Sequence, residues 1–352
     1  MDAPLSSLAV TVVLVVATLA AARVYFHRVR IERPPVGVFN LRDVGFSFLV
    51  LVVVPPLYLQ LPRGLIGTIL ALFGTGLLYF TLTPLVRRPA AVGLAVLLTG
   101  TEVALEFTGL ARSAWFTGIN DVVLLIVVVG VCNTWAQSGI RARDMAVFAA
   151  VVTGYDAIAT GLLPTTAEFV GQLQALPFAP TMGWGSGAAA VFTGLGDLLF
   201  IVLWPLVAEK AYSAAAGRAA IAVTLGCVAA VTASYQLGLL TVAIPGMVLM
   251  GPAILAHYLW LRHRHPRERT AGEHEVRLHP ELPPLVPAPS RPLDDLLVAV
   301  DLAAHAGAGP VRYQAVHDGA VLATGANPAA VLRDAGAARP DATPVLTLAP
   351  AG

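Results

Sequence analysis

Long apolar runs follow one another along the first three quarters of the chain, separated by short clusters of charged residues. A helix needs ~20 apolar residues to cross the hydrocarbon core of a bilayer. The pattern predicts nine such spans, at residues 6–22, 44–62, 65–86, 90–110, 117–137, 143–163, 186–207, 219–235 and 237–261. Because Arg23, Arg28 and Arg30 follow the first run, we interpret it as a span and not as a signal peptide. The pattern therefore predicts an all-α polytopic membrane protein with nine transmembrane helices.

The pattern changes near residue 262, which divides the chain into three parts. Residues 1–262 form the predicted transmembrane domain, residues 263–292 a basic and Pro-rich linker, and residues 293–352 a small α+β cytoplasmic domain. In the last part we predict a helix over 293–305, a hairpin from Val311 to Thr324 around Asp318-Gly319, a helix from Asn327-Pro328 to about Ala337, and a strand over 344–348.

Composition agrees with a membrane protein. Hydrophobic types make up 57% of the chain and charged residues only 12%, with a mean hydropathy of +0.76. Soluble domains carry about twice that share of charge. The net charge of +1, with no basic block, argues against a nucleic-acid partner. Cys132 and Cys227 lie in apolar runs and indicate neither a disulfide framework nor a metal site, so we predict no metal and no cofactor.

The positions of the basic residues predict the topology. With the N-terminus outside, the cytoplasmic segments carry fifteen basic residues and the opposite side carries only Arg63 and Arg112. The fifteen are Arg23, Arg28, Arg30, Arg33, Arg42, Arg87, Arg88, Arg141, Arg143, Lys210, Arg218, Arg262, Arg264, Arg267 and Arg269. This predicts an extracytoplasmic N-terminus, a cytoplasmic C-terminus and an extracytoplasmic 164–185 loop.

The 164–185 loop is mostly apolar. It holds Phe169, Leu173, Leu176 and Phe178, and Glu168 is its only charged residue. These residues are typical of a substrate gate lying on the membrane surface or of an interfacial connector.

Five carboxylates fall within the predicted spans, where an ionisable group indicates a function. Glu102, Glu106 and Asp121 lie near span ends, which favours structural polarity. We place Asp156 and Asp197 about ten residues from either membrane face, so both lie near mid-bilayer. Two carboxylates that share a site of low dielectric constant hold a single proton, and this is the condition for aspartic-protease chemistry. Hydrogen bonding to neighbouring spans and proton relay or cation binding remain the alternatives.

Glycines precede both of these aspartates. The local sequences are Gly154-Tyr155-Asp156 and Gly194-Leu195-Gly196-Asp197. A position without a side chain allows backbone or substrate to approach closely. A loosened turn before Asp197 would also free backbone donors and acceptors for an extended peptide.

With these motifs, residues 1–262 resemble the presenilin and signal peptide peptidase family of GxGD-type intramembrane aspartyl proteases. That family has nine spans, a Tyr-Asp in the sixth, a Gly-x-Gly-Asp in the seventh and a Pro-Ala-Leu at the start of the ninth. The third motif differs here, and we place it at Pro245-Gly246-Met247 rather than at the deeper Pro252-Ala253-Ile254. The resemblance implies that Asp156 and Asp197 are catalytic and that Tyr155 orients or packs against them. It also implies that 194–196 and 245–247 shape the site and seat the substrate.

The predicted orientation matches the signal peptide peptidase branch, because the loop between spans six and seven is outside. The resemblance then implies that the substrates are single transmembrane helices with cytoplasmic N-termini, held in the lipid bilayer. If the C-terminal module recruits a partner, that partner is cytoplasmic.

Three alternatives remain open. A prepilin-type peptidase usually has a lysine soon after its Gly-x-Gly-Asp, but Leu198-Leu199-Phe200 follows here. A proton- or cation-coupled transporter predicts internal repeats and ion-pair partners for the aspartates. A catalytically inactive membrane scaffold is favoured by the changed third motif.

Overall fold

The computed structural model of the chain describes residues 3–31, 41–138, 140–161, 168, 171–185, 191–236, 246–265, 267–269, 274, 277–278, 312–317, 319–339 and 344–348. These residues form two compact units. The helical unit contains those up to Leu278, and the C-terminal unit contains those from Arg312 onward.

Nine helices make up most of the described part of the helical unit. They are α1 (Ala3–Arg28), α2 (Leu41–Leu59), α3 (Arg63–Leu82), α4 (Arg88–Phe107), α5 (Ala114–Gln137), α6 (Ala142–Gly161), α7 (Leu195–Ala211), α8 (Ala214–Gln236) and α9 (Gly246–Arg264). Local chemistry sets several bounds: Pro89 lies in the first turn of α4, and the Ser113 hydroxyl caps α5 by accepting from Phe116 N–H at 3.2 Å.

Five of these helices are long and apolar enough to cross a membrane, which indicates a membrane protein. They lie at Ser6–Arg28, Arg63–Leu82, Arg88–Phe107, Ala114–Gln137 and Ala214–Ser234. The other four are shorter or more polar. The apolar part of α2 spans only Asp43–Leu59, α7 has 17 residues, α6 carries Arg143, Asp144 and Asp156, and α9 ends in Arg262-His263-Arg264.

A short hairpin precedes α7. Strand β1 (Thr181–Trp184) pairs antiparallel with β2 (Val191–Gly194), and β2 leads directly into the helix. The prediction of one helix over 186–207 is therefore wrong for residues 191–194. Gly194 is extended (φ −64°, ψ 147°), and α7 begins at Leu195, so Gly196 and Asp197 already belong to the helix. Hydropathy cannot separate a buried strand from a helix, and glycine weakens helices.

The core of the helical unit lies around α5 and α7. Almost every residue of α7 from Leu198 to Ala211 is buried. Helix α5 contacts α1, α3 and α7, while α6 and α8 both pack against α9. Helix α2 lies at the periphery and contacts α6.

The C-terminal unit is a three-stranded antiparallel sheet with one helix. The strand order is β4 (Ala320–Gly325), β3 (Tyr313–His317) and β5 (Val345–Leu348), and α10 (Pro328–Ala338) packs on the sheet through Val331 and Ala335. The predicted hairpin is confirmed, with Gly319 at φ 79° in its turn. The predicted cap is also confirmed, since Asn327 Oδ1 accepts from Ala330 N–H at 3.2 Å.

Several predictions fall outside the described residues. They concern Pro245, Phe169, Asp318, most of the 263–292 linker and the helix over 293–305.

Candidate active site

Asp156 lies on α6 at a point where this helix packs closely against α9. The Thr153 hydroxyl, one turn before Asp156, donates to Ala149 O at 2.8 Å and lies 3.0 Å from Met247 O of α9. Gly251 makes this approach possible, because a Cβ there would overlap the Thr153 side chain. The contact places the Asp156 turn of α6 beside the start of α9.

Asp197 lies in the first turn of α7 and faces the same start of α9. Its carboxylate accepts hydrogen bonds from the backbone N–H groups of Gly246 and Met247. The first N–H groups of a helix have no partner within the helix, so Asp197 caps α9 from another helix. Hydrogen bonds from these N–H groups stabilise negative charge.

The backbone of Met247 links the two aspartate-bearing helices. Its N–H donates to Asp197 of α7, and its carbonyl lies beside Thr153 of α6. Asp156 and Asp197 are both half-buried. The two predicted catalytic residues therefore converge at the N-terminus of α9.

An apolar groove runs between α2 and α6 on the Tyr155 side of α6. Its volume is about 670 Å³, and Tyr155 contributes to its wall. The Tyr155 ring stands perpendicular to that of Phe48, with 6.5 Å between the ring centres. The other lining residues are Val44, Gly45, Val52, Pro56, Ala150, Val151, Gly154, Ile158 and Ala159. We call this space the α2–α6 groove.

Strand β2 presents an open edge just before Asp197. Leu195 N–H donates to Pro180 O at 2.8 Å, so residues 180 and 195 form a hydrogen-bonded pair of the hairpin. Bonded and non-bonded pairs alternate along an antiparallel ladder, and the backbone groups of Phe192 and Gly194 therefore point away from β1. No other strand among the described residues pairs with β2.

The remaining predicted site residues differ in what they contact. A Cβ on Gly194 would lie 3.7 Å from Asp197 Oδ2, whereas Cβ positions on Gly154 and Gly196 would meet open space. Leu195 packs against the main hydrophobic core. Pro252, from the rival placement of the third motif, lies inside α9, while Gly246 and Met247 contact Asp197 directly. The described residues contain no group of three or more His, Cys, Asp or Glu side chains that could hold a metal ion.

Two of the other carboxylates in the predicted spans, Glu102 and Asp121, anchor the segment that connects α6 to α7. Glu102 Oε2 accepts from Phe178 N–H at 3.3 Å, and Asp121 Oδ1 accepts from Gly183 N–H at 3.0 Å. Both carboxylates are buried. This is the structural role that we predicted for Glu102 and Asp121.

The same connecting segment is buried rather than spread on a surface. Leu173 and Leu176 pack with Ile66 of α3, and Phe178 packs with Leu78 of α3 and Val123 of α5. A surface gate formed by Leu173, Leu176 and Phe178 is therefore excluded, because these side chains lie between helices.

Sequence reasoning missed Thr153 and Gly251, which join α6 to α9. A threonine and a glycine in apolar helices are too common to attract attention. Their pairing depends on two helices that are almost a hundred residues apart in the chain.

Comparisons of the chain with protein-family models, with curated proteins and with solved structures gave no match.

Proposed function

We propose that this chain is a GxGD-type intramembrane aspartyl protease that hydrolyses peptide bonds within transmembrane helices. One observation carries the proposal: the Asp197 carboxylate lies against the backbone of Gly246 at the start of α9, and Asp156 follows by one turn the Thr153 hydroxyl that lies 3.0 Å from Met247 O. A pair of interacting carboxyl groups, half-buried and reachable by water, is the requirement for this chemistry.

In the proposed mechanism the two aspartates have different roles. Asp197 accepts two backbone N–H hydrogen bonds and is the member suited to carry the negative charge. It takes a proton from the attacking water. Asp156 carries the shared proton, donates to the scissile carbonyl oxygen, and stabilises the tetrahedral intermediate.

The substrate must lose its helical hydrogen bonds before cleavage, and two features support such a binding mode. The α2–α6 groove offers an apolar surface next to Asp156 for part of a substrate helix. The open edge of β2 offers the backbone groups of Phe192 and the N–H of Gly194 to an unwound segment, by addition of a strand, while the Gly194 carbonyl belongs to the first turn of α7. Asp197 lies three residues beyond this edge. Substrate residues that destabilise helices would favour this step.

We also propose that all nine helices cross the membrane, with an extracytoplasmic N-terminus and a cytoplasmic C-terminus. Helices α6, α7 and α9 carry the site, and Asp156 of α6 is one of the charged residues that lower the apolar character of that helix. This orientation suits substrates with cytoplasmic N-termini.

The test uses purified protein in lipid vesicles with a transmembrane-helix reporter. Asp156→Asn and Asp197→Asn should each abolish cleavage, because the pair needs titratable members. Asp121→Asn is the matched control: it removes another buried carboxylate, but the amide oxygen can still accept from Gly183 N–H. Retained cleavage in either dyad variant would overturn the proposal and would favour the transporter or scaffold alternatives.

A further inference from the structure

A short segment after α9 contacts both aspartate-bearing helices at the end opposite to the β1–β2 hairpin. Glu268 Oε2 accepts from Ala142 N–H at 3.1 Å, at the start of α6. Arg269 N–H donates to Ala211 O at 2.8 Å, and Arg269 Nη2 donates to Glu209 O at 2.9 Å, both in the last turn of α7.

Each contact has the polarity that the helix end requires. The N-terminus of a helix has unpaired N–H groups and a partial positive charge, and the C-terminus has unpaired carbonyls and a partial negative charge. A glutamate at the start of α6 and an arginine at the end of α7 match these charges. The Tyr212 hydroxyl adds a 3.5 Å contact to Glu268 Oε1, so the two helix ends are joined through one carboxylate as well.

The two aspartates lie the same number of residues from the helix ends that this segment contacts. Asp156 lies fourteen residues after Ala142, and Asp197 lies fourteen residues before Ala211. At a rise of ~1.5 Å per residue, both carboxyl groups lie ~21 Å from the Glu268–Arg269 contacts. Because α6 begins and α7 ends at these contacts, holding the two ends together brings both aspartates to one depth.

We propose that Glu268 and Arg269 are positioning residues that set the register between α6 and α7 and thereby the separation of Asp156 and Asp197. The effect of these residues on the separation of the aspartates does not depend on whether the protein is a protease. Their effect on cleavage rests on the proposed protease function. Neither residue touches the dyad or the substrate.

The first test measures dyad geometry without catalysis. The native cysteines, Cys132 and Cys227, are first replaced by serine. The substitutions Asp156→Cys and Asp197→Cys then place two thiols at the dyad positions, and a short bifunctional reagent can cross-link them. Adding Glu268→Ala and Arg269→Ala should slow cross-linking by roughly tenfold or more, because intramolecular rates follow the effective concentration of the two groups. Arg218→Ala, an exposed residue on α8, is the matched control and should leave the rate unchanged.

An unchanged cross-linking rate in the double variant would overturn the inference. If the double variant fails to fold, as judged by thermal unfolding in detergent, Glu268→Ala alone serves as the test. Glu268→Gln should restore a nearly native rate, because its amide oxygen can still accept from Ala142 N–H. The unfolding temperatures of Glu268→Ala and Glu268→Gln should both be native. If Glu268 were only structural, Glu268→Ala would instead lower the unfolding temperature.

The second test uses the full native chain and the reporter cleavage assay. Glu268→Ala should lower kcat by roughly a hundredfold with little change in KM, as expected for a displacement of about 1 Å at the reacting groups. A raised KM with unchanged kcat would overturn the positioning role. If the native chain cleaves nothing while the cross-linking result holds, the protease proposal fails and the register inference stands.

Discussion

The carboxylate of Asp197 lies directly against the backbone of Gly246. Its Cγ is 2.9 Å, and each of its two oxygens is 3.0 Å, from the point that a Cβ on Gly246 would occupy. Real Cβ atoms do not approach other groups so closely, and here the neighbour is a charged carboxylate. An added Cβ at position 246 would therefore overlap the Asp197 carboxylate.

We expect Gly246→Ala to displace Asp197 from the N-terminus of α9 and to reduce cleavage roughly a hundredfold, since small misplacements of reacting groups are costly. Reporter cleavage in vesicles measures this. Gly226→Ala is the control, because a Cβ there meets open space on α8. Native activity in Gly246→Ala would show that the contact is unimportant.

Thr153 gives a second, milder perturbation of the same site. Thr153→Val removes the hydroxyl that lies 3.0 Å from Met247 O but keeps the shape of the side chain. We expect a loss of stability of about 1 kcal/mol, typical of one hydrogen bond, and a lower kcat. Thr101→Val is the matched control, since the Thr101 hydroxyl donates to Leu97 O within its own helix. Equal effects in the two variants would contradict a special role for the α6–α9 contact.

The connecting segment can be tested through Phe178. Its ring fills the space beside Gly74 that a side chain on α3 would need. Gly74→Ala should destabilise the protein by about 1–3 kcal/mol through overpacking, measured as thermal unfolding in detergent. Gly76→Ala, two residues away with open space around its Cβ position, should have no such effect. Phe178→Leu in the Gly74→Ala background should recover part of the loss.

His274, which lies beyond α9, should make a contribution to folding stability that is lost in mild acid. Burial lowers the pKa of His274 to about 3, and the positive charges of Arg269, Lys210, His27 and Arg277 act in the same direction. The side chain stacks on Phe26, with 5.1 Å between ring centres. The native state thus keeps a neutral histidine, while the unfolded chain takes up a proton below about pH 6.5.

Between pH 7 and pH 5 this difference should cost on the order of 2 kcal/mol of folding free energy. The measurement is the unfolding free energy at both pH values. His274→Gln should show a pH dependence smaller by this amount. If the variant and the native chain respond equally, His274 is not the group responsible.

Two truncations separate the C-terminal unit from the Glu268–Arg269 contacts. A chain that ends at Pro280 keeps these contacts and should cleave the reporter as the full chain does. A chain that ends at Arg264 loses them and should lose most of its activity. Loss of activity in the longer truncation would show that the C-terminal unit is itself required.

The sequence predicts most helices because each apolar run is long and is bounded by charges or prolines. It fails at residues 191–194, where β-branched and glycine residues form a strand that has the same hydropathy as a helix. The hairpin at Gly319 and the cap at Asn327 are predictable, because each depends on residues that are adjacent in the chain.

The aspartates themselves are recognisable from their motifs, but their immediate environment is not. The contact between Asp197 and Gly246 joins residues 49 positions apart, and the contact between Glu268 and Ala142 joins residues 126 positions apart. A local pattern carries no information on such pairs. One clue was present, because Glu268 is the first acidic residue in the basic stretch after Trp260.

The backbone of Met247 has a consequence for how the site assembles. Its two polar atoms serve different helices, so fraying of a single turn at the start of α9 would release both aspartate helices together. Intermediate arrangements, in which one aspartate is seated and the other is free, are therefore disfavoured. The order of this single turn therefore bears on the positions of both aspartates at once.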